Sequence, residues 1–161
     1  ERGVIQGTIV VTGLNPGKYE IRIDGAVVGQ HTADALSKGV NLAMNESAPQ
    51  FKQAQEVAKA NEARRGAEAQ SRALLSMRRS LEPRYKLNPD DPAALQAYYD
   101  ALVSKKEYTA VMLLNYIKNW PKHKDILKLA AESEKKALAL RSPVPHAYAV
   151  VPVSEKKQAG R

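Results

Sequence analysis

Apolar and polar residues alternate strictly over Tyr19-Glu20-Ile21-Arg22-Ile23-Asp24, which predicts a strand with one buried and one wet face. Upstream, Thr8-Ile9-Val10-Val11-Thr12 is β-branched throughout and reads as another strand, with turn residues between the two at Gly13-Leu14-Asn15-Pro16-Gly17. Asp24-Gly25 is a tight-hairpin signal leading into Ala26-Val27-Val28. The expected product is a three-stranded antiparallel meander. Three short strands with one apolar face are near the lower limit of independent stability, so that face must be covered from outside residues 1–31: a helix of this chain could do so, but a sheet of a parent protein, completed by this meander, is the easier answer.

After His31 the period changes to that of helices. Thr32 caps one helical turn, Ala33-Asp34-Ala35-Leu36, which Gly39 ends. A loop follows at Gly39-Val40-Asn41-Leu42-Ala43, and then Ser47 as N-cap and Pro49 in the first turn open a long helix reaching about Leu81. Its middle, Lys59 to Arg72, has few large apolar residues and predicts a thin contact stripe. Leu87-Asn88-Pro89-Asp90-Asp91-Pro92 breaks the pattern, with Asp91 capping the next helix. Residues 92–119 read as one helix or two in series, closed by Pro121, and a further helix runs from about Lys122 to Leu140. Ser142 to Val153 is extended by its prolines and expected to pack back on the body, and Glu155 to Arg161 reads as a frayed tail. The fold class is therefore α+β: a short antiparallel β-meander over 1–47, a helical arm of a long helix and a helical hairpin over 48–141, and an extended Pro-rich return over 142–161. There is no internal repeat.

Composition alters this picture little. The chain has 161 residues, 43% hydrophobic and 26% charged, a globular balance rather than that of a disordered tail. No stretch approaches the roughly 20 apolar residues needed to span a bilayer, and the start at Glu1 has no initiator Met or signal-peptide layout. The absence of Cys excludes disulfides, thiolate metal sites and a Cys nucleophile. Charge is unevenly placed: residues 1–48 carry four Lys/Arg against five Asp/Glu, and the remaining 113 carry 21 against 12. The basic pairs Arg64-Arg65, Arg78-Arg79, Lys105-Lys106 and Lys135-Lys136 are interleaved with Glu62, Glu68, Glu107, Glu132 and Glu134. That is the pattern of a solvated, ion-paired helix, and no nucleic-acid partner is expected.

Candidate chemistry is sparse. His31, His123 and His146 are far apart with no carboxylate spaced to complete a metal site, so no metal and no cofactor are expected. His31 and His123 read as surface polar residues. The weak candidates for substrate contact are Asn41, in a loop of apolar neighbours whose simpler role is a turn, and His146, whose simpler role is a structural hydrogen bond. Tyr108, Met112, Tyr116 and Trp120, spaced by four, read as one packing stripe, with a carbohydrate or peptide platform as the sharper alternative. Asn45-Glu46-Ser47 fits a glycosylation sequon.

The run Gly13-Leu14-Asn15-Pro16-Gly17-Lys18-Tyr19-Glu20-Ile21-Arg22-Ile23-Asp24-Gly25, the loop Gly39-Val40-Asn41-Leu42-Ala43, the helix start with Gln53, Gln55 and Val57, and the ending Pro143-Val144-Pro145-His146 together resemble the C-terminal region of bacterial SGNH/GDSL-type hydrolases. The resemblance implies the C-terminal piece of a larger SGNH-type α/β hydrolase, an ester hydrolase in a secreted or periplasmic setting. That chemistry needs a Ser in a Gly-Asp-Ser block, a Gly and an Asn at the oxyanion hole and an Asp-x-x-His pair. None of these matches: the residues three before the histidines are Val28, Trp120 and Pro143. No catalytic residue is carried over. The expected partner is an upstream catalytic domain or a separate chain of the same protein, with homo-oligomer formation through the arm as a second option. The rival reading is a non-enzymatic assembly or carbohydrate-binding module, a β-sandwich edge carrying a helical arm.

Overall fold

The structure, a computed structural model, describes residues 7–153. The Glu1 start and the tail expected over Glu155–Arg161 lie outside the described residues. The fold is α+β: short antiparallel strands, one long helix and further helices. Two compact units are present, one of residues 7–57 with 140–153 and one of residues 58–139.

The first unit holds β1 (Thr8–Ile9), β2 (Lys18–Ile23), β3 (Ala26–Thr32), α1 (Ala33–Lys38), β4 (Val40–Asn41), the start of α2 (Pro49–Tyr85) and β5 (Tyr148–Pro152). Its main sheet has the order β3-β2-β5, antiparallel throughout, with Ile21 facing Gly29 on one side and Val150 on the other. The alternation in β2 works as its pattern predicts: Tyr19, Ile21 and Ile23 are buried, and Glu20 and Arg22 lie on the other face, where they form an ion pair. Asp24 and Gly25 both take positive φ, 50° and 82°, the geometry of a two-residue turn whose twist suits a hairpin.

The composition of the sheet corrects the expected meander. The run Thr8–Thr12 forms only a two-residue strand, and it pairs with β4 rather than with the hairpin (Thr8 with Asn41, Ile9 with Val40). Beyond it the Val11 N–H donates to the Leu36 carbonyl at the end of α1 (2.9 Å), which draws the chain out of strand pairing before the left-handed Gly13. The third strand comes instead from the return. Val153 N–H bonds Lys18 O and Asp24 N–H bonds Ala147 O, so the odd-numbered residues of β5 face β2. Pro152 therefore turns its missing N–H to the open edge, where a proline costs nothing.

The face of Tyr19, Ile21 and Ile23 clusters with Leu36, Leu42, Ala48, Phe51 and Val150, all from beyond His31. Thr32 caps α1 through the Ala35 N–H, and Gly39 ends it at φ 102°. The entry to α2 departs from expectation: the Ala48 carbonyl receives the first ladder bond from Lys52, and Asn45 rather than Ser47 supplies the local side-chain turn by accepting the Ser47 N–H. The first unit keeps the beginning of α2 because Phe51 joins its core and Gln53 Nε2 donates to the carbonyls of Leu140 and Ser142.

In the second unit α2 runs four residues past Leu81. Pro83 falls in its last turn, and Lys86 at φ 58° closes the helix with its N–H on Glu82 O. Tyr85 at this end packs against Tyr98. Of the two options for residues 92–119, two helices form: α3 (Pro92–Ser104), capped by Asp91 on the Ala93 and Ala94 N–H groups, and α4 (Thr109–Asn119), separated by a turn with Lys106 at φ 56°. Pro121 does not isolate the next helix. It sits in a 3-10 turn (Trp120–Lys122) that leads directly into α5 (His123–Leu140). The thin stripe of α2 is Ala60, Ala67, Ser71, Leu74, Met77 and Leu81, and its lower part packs with Leu95, Leu102, Ala110, Leu113, Tyr116 and Ile126.

Candidate functional site

In the first unit the strongest polar constellation is the Asp24 carboxylate at the hairpin turn. Its Oδ1 accepts the Ala147 N–H at 2.9 Å and its Oδ2 meets His146 Nδ1 at 2.7 Å, while the Asp24 N–H donates to Ala147 O. The Ala147 N–H, followed by His146, holds the Asp24 carboxyl below its ordinary pKa. The His146 side chain is 11% exposed, and its Nε2 is buried with no hydrogen-bond partner among the described residues. An Asp-oriented imidazole is what a hydrolase uses as base, but a base must present its second nitrogen to a hydroxyl or a substrate. This one is covered. The pair therefore works as a clasp that fastens the start of β5 to the β2–β3 turn.

A pH dependence follows from that clasp. A carboxyl whose folded pKa is depressed stabilises the fold above its unfolded value, about 3.9, and that contribution is lost as pH falls through the folded value. Asp24→Asn is expected to weaken the first unit at neutral pH and to make its stability less sensitive to acid between about pH 5 and 2. Urea midpoints of both proteins across that range measure this, and parallel pH profiles would refute the assignment.

Asn41 takes the turn role. Its Oδ1 accepts the N–H groups of Ala43 (2.9 Å) and Gly7 (3.3 Å), holding the β4 loop to the start of β1. Asn45 is likewise engaged: Nδ2 donates to Val28 O on the outer side of β3 at 2.6 Å, so the sequon nitrogen is occupied within the fold. An open cleft of about 870 Å³ lies at one end of the sheet, bordered by Lys18, Tyr19, Gln30, Thr32, Asp34 and Pro152, and neither Asn41 nor His146 lines it.

The second unit contains a network that the sequence reading missed. His123, expected at the surface, is half-buried: Nε2 lies 2.9 Å from Ser71 Oγ and the ring stacks on Trp120 with centroids 4.8 Å apart. Trp120 stacks in turn on Tyr116, and Arg78 lies 4.5 Å above the indole. Arg78 forks onto both oxygens of Asp90 and donates to Tyr116 Oη, which donates to Pro89 O. Asp90 and Tyr116 hold the Arg78 pKa above its ordinary value, Arg78 lowers that of Asp90, and burial raises that of Tyr116. The signal available in the sequence was the spacing of Trp120 and His123, three apart at a helix start.

Among the described residues no third group orients the imidazole of the Ser71–His123 contact. Ser71 is 6% exposed in the interior of α2, where neighbouring N–H groups are consumed by the helix ladder and none is left to form an oxyanion hole. The contact is a structural hydrogen bond between α2 and α5.

The four-residue stripe does not survive as one face. Tyr108 is 78% exposed and Met112 45%, whereas Tyr116 and Trp120 turn inward. Each step of four advances about 40° around a helix, and Trp120 lies in the 3-10 turn, so the spacing drifts off the core. Along α2 and α5 the basic residues are laced to carboxylates: Arg64 and Arg72 to Glu68, Arg65 to Glu62, Lys128 to Glu132. Among the described residues there is no cluster of three His, Asp or Glu able to hold a metal, and no helix long and apolar enough to cross a membrane.

No protein-family model matches this chain, and no curated protein matches it. Among solved structures it is similar to one described as a gut microbial diltiazem-metabolizing enzyme, with a TM-score of 0.63 and 23% identity over 92% of this chain. The likeness is one of fold. The chain spans about a third of that enzyme, 34% of its length.

Proposed function

We propose that this chain is the C-terminal, non-catalytic framework portion of an SGNH/GDSL-type ester hydrolase, with the nucleophilic Ser and the Asp-x-x-His pair upstream or on another chain. One observation carries the reading. The motifs behind the family resemblance are more than 100 residues apart in sequence, yet Asp24 of the hairpin motif bonds both His146 of the Pro-x-Pro-His ending and the residue after it. The Gly-Val-Asn-Leu-Ala loop joins the same unit through β4 and Leu42. That the motifs form one another's contacts supports reading them as one structural element. The similarity in fold to an enzyme about three times as long is consistent with such an element serving inside a larger catalyst. The same resemblance proposes a secreted or periplasmic setting.

The function of the element is then mechanical: the clasp and the Ile21-centred core hold a rigid block against which a catalytic domain can fold. The purified chain is expected to leave short-chain aryl esters intact, since neither of its His contacts presents an activated hydroxyl. Turnover by the pure chain that a serine-directed inhibitor abolishes would overturn the reading. So would a parent reading frame, or a co-purifying chain, with no Gly-Asp-Ser block and no Asp-x-x-His pair; that outcome favours the assembly-module alternative.

A further inference from the structure

We draw no further inference here: the strongest candidate, the exposed apolar patch of Val103, Tyr108, Val111 and Met112 around the turn between α3 and α4, is an unpartnered face, and nothing in the structure shows what covers it.

Discussion

Replacing Leu113 by Ala is expected to cost about 2–5 kcal/mol, the range for large-to-small changes at sites that cannot collapse. Leu113 is 0% exposed and belongs to a core that draws residues from α2, α3, α4 and α5, so relaxation of one helix alone cannot fill the void. Tyr116→Ala should cost about as much or more. It removes a fully buried ring, the stack on Trp120, and the hydroxyl that joins Arg78 to Pro89 O. Arg64→Ala, which removes one half-buried i,i+4 pair with Glu68 outside the apolar core, is expected to stay within ~0.5 kcal/mol. Urea unfolding followed by the fluorescence of Trp120, the one tryptophan in the sequence, reads this unit directly. Losses at Arg64 equal to those at Leu113 would mean that the charged middle of α2 is a buried interface with an acidic partner, contrary to the framework reading.

Ile21→Ala should have an effect of the same order in the first unit, about 2–5 kcal/mol. Ile21 occupies the middle of the central strand and is 0% exposed. Its neighbour across β3 is Gly29, which has no side chain to move into the vacated space, so the cavity must be borne by Val150 and the residues packed above the sheet. The expected readout is faster amide exchange in peptides covering β2, β3 and β5 than in the parent chain. Exchange unchanged in all three strands would show that this face is not the core of the unit.

Local signals in the sequence were reliable where the physics is local. The alternation of Tyr19, Ile21 and Ile23 gave the buried face of β2, because side chains of a strand point to opposite sides whatever the strand pairs with. Asp24-Gly25, Thr32, Gly39 and Asp91-Pro92 marked their turns and caps, since each satisfies backbone groups or a left-handed φ within a few residues.

Only the tertiary structure decided the rest. Thr8–Thr12 has the composition of a strand in the main sheet, but composition does not name a partner, and Tyr148–Pro152 took that place across more than 100 residues. His146 could not be known as a clasp until β5 brought it to the Asp24 carboxylate, nor His123 as an interior residue until α2 placed Ser71 beside it. Spacing of four along Tyr108 to Trp120 described one ideal helix, whereas α4 begins only at Thr109, Trp120 lies in a 3-10 turn, and of the four residues only Tyr116 and Trp120 join the core. Period and capping are properties of neighbouring residues along the chain; pairing, burial and the environment of a titratable group depend on what arrives from elsewhere, and that is settled only when the whole set of contacts forms together.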